Sequence, residues 1–320
     1  MTDYDIFNGD ADGLCALQQL RLSEPREAQL VTGIKRDIAL LTKVSVKADD
    51  FLTVLDISFD KNRHAVMSIL STGAHIRYFD HHFAGDIPKL PGLETHINTA
   101  SNTCTSLIVD AYLKGQHCAW AVTGAFGDNM ALSARERAAG MGFSQDELGL
   151  LQELGTYLNY NGYGADLSDL FFHPAELFTQ LHPYTNPLEF IADSEAFRIL
   201  QNGYAEDMDK ASRLRPEKAD NAAVIYMLPD EKWARRVSGV YGNQLATAAP
   251  ARAHAVLTVQ ADGQAYTVSV RAPLDDLRDA DTLCRQFATG GGRKGAAGIN
   301  RLPVEDYPAF VNAFWKIFKR

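Results

Sequence analysis

Four short segments in the first 130 residues carry carboxylates and imidazoles at spacings that could act together: Asn8-Gly9-Asp10-Ala11-Asp12-Gly13, Leu55-Asp56-Ile57-Ser58, Phe79-Asp80-His81-His82 and Phe126-Gly127-Asp128-Asn129. Carboxylates gathered in one place repel one another unless cations neutralise them. Oxygen donors joined by imidazole suit a divalent ion such as Mn2+ or Mg2+, whereas zinc would draw on cysteines. Cys15, Cys104, Cys118 and Cys284 are scattered, with no CxxC spacing. Taken singly, each segment has a structural reading. Asp10 and Asp12 can cap a helix, Asp56 can sit in a turn, the histidine pair can be a surface feature, and Asp128-Asn129 can end a helix. The first segment also imitates an EF-hand start, but Gln19 stands where the bidentate Glu belongs and a strand pattern precedes it.

A second cluster, Gly290-Gly291-Gly292-Arg293-Lys294-Gly295-Ala296-Ala297-Gly298, reads as a glycine-rich loop. Consecutive glycines admit a backbone close to an anion, and their N–H groups form a nest for phosphate. Arg293 and Lys294 add charge; arginine grips phosphate with a fork and does not exchange protons near neutral pH. A dinucleotide-binding GxGxxG is excluded because a helical pattern precedes the glycines and only 22 residues follow Gly298. A Walker A loop fails at Ala296-Ala297, where it needs Ser or Thr. The bland alternative is a helix N-terminus whose glycines permit close packing.

The elements that must position these segments follow from hydrophobic patterning. Strands are predicted at 4–8, 29–32, 51–57 and 75–79, alternating with helices at 14–20, 61–70, 104–113 and 118–128, the order that builds a mainly parallel sheet. Three of the four acidic segments directly follow predicted strands, and open α/β sheets bind ligands beyond the carboxyl ends of their strands. Ser101, Asn102 and Thr103 offer caps to the 104–113 helix. Residues 145–212 are helical, broken at Pro174, Pro183 and Pro187. Strands at 222–228, 255–259 and 265–271, with helices at 281–287 and 304–318, make a second α/β domain.

At 320 residues, 46% apolar and 22% charged, the chain has room for two domain cores and excludes a disordered or fibrous protein. Its net charge of −9 hides a split. Residues 1–212 hold 15 Lys and Arg against 29 Asp and Glu, a balance of −14; residues 213–320 hold 16 against 11, a balance of +5. That division fits a cation site in one part and an anion site in the other. The scattered cysteines and the acidic start lead us to expect a reduced, cytoplasmic chain. No run approaches eighteen apolar residues, so no membrane partner is expected.

In order and spacing, DADG, LDIS, FDHH and GDN resemble the four motifs of the DHH phosphoesterases, named for the triplet that stands here as Asp80-His81-His82. Residues 290–298 are similar to the glycine-rich signature of the DHH-associated C-terminal domain, and Ser269-Val270-Arg271 resembles its upstream strand arginine. Only 145–212 lacks a recognised motif. The resemblance implies an α/β fold: a Rossmann-like, parallel-sheet catalytic domain over 1–195, including a helical extension, a linker over 196–220, and a smaller C-terminal α/β substrate-binding domain over 221–320, with the substrate cleft between the domains.

It further implies two divalent ions, Mn2+ ahead of Mg2+, held by Asp10, Asp12, Asp56, His81 and Asp128, with Asp56 as the bridge. Asn8 stands where many members carry His or Asp; as a further candidate ligand it is neutral and leaves one ion more weakly held. His82 would face the scissile phosphate and Asp80 would support the histidines, so His82, Asp80 and Asp56 form the catalytic set. His82, Arg271, Gly291, Gly292, Arg293 and Lys294 would hold substrate. The implied function is hydrolysis of short oligoribonucleotides, or of linear dinucleotides left by opening cyclic dinucleotide signals, to nucleoside monophosphates, in a homodimer. The small basic domain argues for a short ligand, because tracking long nucleic acid needs an extended positive groove. The alternatives are a polyphosphatase or inorganic pyrophosphatase with the same metal centre, and a catalytically weak nucleotide-binding protein, suggested by Asn8. Tyr241, Tyr266 and Phe287 are the sequence candidates for stacking a base.

Overall fold

Residues 1–97 carry a five-stranded sheet of β1 (Asp3–Phe7), β2 (Gln29–Val31), β3 (Phe51–Leu55), β4 (His75–Asp80) and β5 (Leu93–Ile97), all parallel, in the order β2-β1-β3-β4-β5. The computed structural model describes residues 1–319 and divides into two units, Met1–Asn202 and the remainder from Gly203 on. In the first unit the chain leaves β1 towards β2 and then crosses back to β3. The strand order therefore reverses between β1 and β3, the kind of switch point where such sheets bind ligands. Ile6, Phe7, Val54, Leu55, Tyr78 and Phe79 are fully buried, as expected of parallel strands covered on both faces.

Helices α1 (Ala11–Ser23), α2 (Phe59–Ser71), α3 (Thr105–Tyr112), α4 (Cys118–Gly127), α5 (Ala131–Ala138), α6 (Gln145–Asn161), α7 (Pro174–Leu181) and α8 (Pro187–Asp193) complete most of this unit. α1 is buried continuously from Ala11 to Arg21. Its buried amide groups donate to main-chain carbonyls: Gln18 Nε2 to Leu181 O at 3.2 Å and Tyr184 O at 2.9 Å, and Gln19 Nε2 to Ser106 O at 3.1 Å. α6 opens with a capping box between Ser144 and Glu147. Helix α9 (Glu195–Ser212) covers much of the stretch read from sequence as a linker, and the division between the units falls within it.

The second unit adds β6 (Lys218–Ala219), β7 (Ala223–Leu228), α10 (Lys232–Ala248), β8 (Ala253–Val259), β9 (Ala265–Arg271), α11 (Ala280–Cys284), β10 (Gly290–Gly292), β11 (Ala296–Pro303) and α12 (Tyr307–Phe318). Its mixed sheet runs β10-β11-β9-β8-β7-β6. Phe310, Phe314 and Phe318, one helical turn apart on α12, pack with Val268, Val270, Leu257 and Ile299 in its core. The α/β architecture is as expected from sequence. Two helices, α5 and α10, were not legible there, and the glycine segment differs. It is no helix N-terminus but a β-hairpin: Gly290–Gly292 form the edge strand, residues 293–295 the turn, and Ala296 to Gly298 the start of β11, with Gly291 opposite Gly298. Among the described residues no helix is long and apolar enough to cross a membrane.

Candidate metal centre

Parallel pairing puts the carboxyl ends of β1, β3 and β4 on one rim, so Asn8, Asp56 and His81 emerge side by side. His81 Nε2 lies 3.4 Å from Asp56 Oδ1, 3.9 Å from Asp128 Oδ2 and 4.0 Å from Asp12 Oδ2. Asp12, His81 and Asp128 each offer one donor within 4.8 Å of the others, as do Asp56, His81 and His82. Asp128 arrives from the far end of α4, where it is the C-cap. Asp56 takes the left-handed backbone conformation, φ 59°, at the β3 turn.

These residues fit a divalent cation. Their separations of 3.4–4.0 Å lie between the roughly 3 Å and 4.5 Å expected for neighbouring and opposite ligands at bond lengths of about 2.1–2.3 Å. Asp128 Oδ2 and Asn8 Oδ1 are buried side-chain oxygens with no hydrogen-bond partner, available to a cation. The electrostatics agree. Burial, then repulsion from Asp12 and Asp10, raises the Asp56 carboxyl well above the usual range. Burial opposes protonation of His81, but its hydrogen bond to Asp56 and the charges of Asp56, Asp12 and Asp128 raise it to about 10. Burial likewise pushes Asp128 up, although Lys35 opposes the shift. The site favours positive charge at its centre.

The start of α3 fixes two of the carboxylates. Thr105 N donates to Asp12 Oδ2 and Ser106 N to Asp12 Oδ1, both at 2.8 Å, and Ser106 Oγ donates to the same Oδ1. Thr105 Oγ1 donates to Asp56 Oδ1 at 3.0 Å. Here sequence reasoning named the wrong groups: the N-cap is Cys104, with no side-chain capping bond, and the helix's free N–H groups go to Asp12 rather than to Ser101, Asn102 or Thr103. His81 Nδ1 lies 3.1 Å from Thr103 O, and His82 Nδ1 lies 2.7 Å from Asp80 Oδ1. The fully buried Asp80 also accepts from Phe59 N at 3.0 Å.

Asp10 is placed differently from the other proposed ligands. Its Oδ1 caps α1, accepting from Asp12 N and Gly13 N at 3.1 Å each. Its Oδ2 takes the Lys35 ammonium at 2.5 Å. Burial raises the Asp10 carboxyl, but Lys35 outweighs it and holds the group below the usual range. Sequence reasoning missed Lys35, although a basic residue just past the end of the parallel strand β2 belongs to the same rim. The Lys35 ammonium also donates to Asn159 Oδ1 at 2.8 Å and faces the Tyr163 ring, 5.6 Å from its centre. The 145–212 region, without a recognised motif, thus supplies two groups to the site. Gly9 permits the approach, because a Cβ there would stand 2.0 Å from Gly33 O in the neighbouring loop.

In the second unit Arg271 is held by its own surroundings. Its Nε donates to Asn243 Oδ1 at 2.6 Å and its guanidinium to Ser269 Oγ at 2.9 Å and Gly239 O at 3.3 Å. Gly292 has φ 140° and its Cβ would meet Ala297 Cα at 2.4 Å, so it is needed for the hairpin, whereas Gly291 faces open space. Arg293 and Lys294 are exposed in the hairpin turn. The aromatics chosen from sequence for base stacking go to the core: Tyr241 is 4% exposed, and Tyr266 and Phe287 pack against the core cluster. Phe83, adjacent to His82, is 75% exposed.

No family model and no curated protein matches the chain. Solved structures do. Manganese-bound exonuclease RecJ superposes with a TM-score of 0.64 at 14% identity, covering 99% of this chain and 89% of that one. The pGpG-specific phosphodiesterase PggH from Vibrio cholerae gives 0.57 at 15% identity, covering 98% of both chains. RecJ from Thermus thermophilus, in complex with Mn2+, gives 0.58 at 15% identity over 99% of this chain and 52% of that one.

Proposed function

We propose, from the DHH-family phosphoesterase fold that this chain has, that it is a divalent-metal-dependent phosphodiesterase. Its substrates are short oligoribonucleotides or linear dinucleotides of the pGpG type, including products of cyclic dinucleotide breakdown, and its products are nucleoside monophosphates. The observation that carries the reading is the convergence of Asp12, Asp56, His81 and Asp128 on one rim, next to the paired Asp80 and His82.

Asp10, Asp12, Asp56, His81 and Asp128, with Asp56 common to both and Asn8 as a neutral further donor, would hold two divalent ions, Mn2+ ahead of Mg2+. When bound they supply a water nucleophile at neutral pH and offset charge on the transferring phosphoryl group. The chain does the rest. Thr105 and Ser106 hold Asp56 and Asp12 in place. Asp80 Oδ1 accepts from the Nδ1–H of His82 at 2.7 Å, which leaves Nε2 as the ring nitrogen towards substrate, able to donate to a phosphate oxygen as the imidazolium. Phe83 provides a face for a base. In the second unit Arg271, Gly291, Gly292, Arg293 and Lys294 are assigned to substrate anions, and catalysis belongs to the first. A homodimer is part of the same proposal.

The competing reading is a polyphosphatase or pyrophosphatase, favoured by the burial of the second unit's aromatic candidates. A 5′-labelled diribonucleotide and heptanucleotide, incubated with Mn2+ beside polyphosphate, separate the two. The proposal expects nucleoside monophosphates from the dinucleotide, lost in Asp56→Ala and His81→Ala. Phosphate release from polyphosphate alone favours the competitor. Dinucleotide binding without turnover makes the protein a nucleotide binder.

A further inference from the structure

Lys35 is a side-chain cation joined to the carboxylates of the metal centre, and its position is built rather than incidental. Its backbone N–H donates to Gly162 O at 2.8 Å. Its backbone carbonyl accepts from Asn8 Nδ2 at 3.3 Å. Its ammonium is 2.5 Å from Asp10 Oδ2, 2.8 Å from Asn159 Oδ1 and 3.8 Å from Asp128 Oδ1. The Asp10 side chain is 3% exposed and that of Lys35 23%, so solvent reaches the pair from the lysine side only.

Both oxygens of Asp10 are thereby committed. Oδ1 serves the backbone N–H groups of Asp12 and Gly13, which cannot leave without unwinding the start of α1. Oδ2 serves an ammonium on a flexible four-carbon stem, which can leave. The donor triads Asp12-His81-Asp128 and Asp56-His81-His82 do not include Asp10. The two halves of the centre are therefore unequal: the triads gather around His81 and include the unpartnered Asp128 Oδ2, whereas both oxygens of Asp10 have partners, one of them a tethered ammonium.

We propose that Lys35 is the resident counter-cation of the Asp10 half of the centre, so that the second divalent ion enters by displacing the Lys35 ammonium from Asp10. This rests on the two-ion reading above. Occupancy of the second position is then set by competition between a divalent ion and a tethered ammonium, and it rises at higher metal concentration than the first. Asn8 reinforces the asymmetry, since its Nδ2 holds the Lys35 loop and only its neutral Oδ1 remains for a cation.

Mn2+ binding to the full chain, followed by calorimetry and by the electron-paramagnetic signal of free Mn2+, tests this without reference to turnover. The wild type should show two sites at least about tenfold apart in Kd. In Lys35→Met, and in the milder Lys35→Gln, the weaker site should tighten by about tenfold or more while the stronger changes little. Two sites whose affinities stay unchanged in both variants, or a second site that weakens, overturn the inference but leave the metal centre intact. A single site in all three proteins also overturns it. Failure of the wild type to bind Mn2+ at all overturns the metal centre itself, and the inference with it. Should neither variant fold, crystals of the wild type at low and high Mn2+ decide. Lys35 Nζ should pair with Asp10 when one ion is bound and lie beyond salt-bridge distance, about 4 Å, when two are bound; an ammonium that stays on Asp10 beside two ions overturns the inference.

Discussion

One oxygen of Asp80 receives His82 twice: Oδ1 accepts the backbone N–H at 3.1 Å and the ring Nδ1–H at 2.7 Å. The carboxylate therefore fixes both the path of the chain after β4 and the tautomer of the imidazole. In Asp80→Asn an amide replaces the acceptor, and turnover should fall about 10- to 100-fold. Mn2+ affinity should fall less, because His81 Nδ1 faces Thr103 O. Steady-state kinetics beside a metal titration separate the two effects; equal losses in both would place Asp80 among the ligands.

The first turn of α3 predicts a different signature. Ser106→Ala removes a hydroxyl donor from Asp12, and Thr105→Val removes the donor to Asp56. Each should weaken Mn2+ binding by about tenfold or more, the usual effect of losing a partner that orients a ligand. Calorimetry checks this, with circular dichroism showing unchanged helix content.

Phe83 distinguishes a nucleotide substrate from polyphosphate. With a side chain largely in solvent next to His82, it should contribute about 1–3 kcal/mol of stacking to a base. Phe83→Ala should raise KM for a dinucleotide by about tenfold or more and leave thermal stability unchanged. An unaltered KM would remove the base-binding role.

Below the sheet rim, Arg21 and Asp5 form a buried ion pair, each 2% exposed, with a second bond from Arg21 to Thr53 at 3.0 Å. Asp5→Ala leaves the guanidinium buried without its partner and should cost about 3–5 kcal/mol. Urea denaturation measures it. Replacing both residues together, Asp5→Leu with Arg21→Met, should recover much of the loss.

His254 on β8 is 2% exposed, and burial beside Arg252 lowers its pKa to about 4. The unfolded chain takes up this proton near pH 6.5, before the folded one does. Its contribution to stability is therefore full above about pH 6.5 and is lost as the pH falls towards 4. The second unit should lose about 1–3 kcal/mol over that window. His254→Gln should flatten the acid limb of stability against pH; an identical limb would reject the assignment.

The acidic segments were legible in sequence because each depends on a local rule. A carboxylate placed just beyond a β-rich run lies on the rim of a parallel sheet whatever the rest of the chain does, and alternation of strands and helices sets the sheet itself. Asn8, Asp56, Asp80 and His81 needed nothing more. α10 was not legible because Gly239, Gly242, Ser238 and Thr247 lower its helix propensity; burial of Trp233, Val237, Val240 and Tyr241 outweighs that cost, and only the folded core provides it. The glycine segment became a strand for the same reason. β11 gives the backbone of Gly290–Gly292 its hydrogen-bond partners, and no local preference of glycine encodes that partner. The sharpest case is Lys35. Residues 35, 10 and 159 are far apart in the chain, and their meeting depends on β2 lying beside β1, on Gly9 admitting the neighbouring loop, and on α6 ending above both. Sequence alone thus pointed to carboxylates and imidazoles gathered on one rim; the tertiary structure decided that Asp10 pairs with Lys35, because charge pairing acts through distance in space and not along the chain.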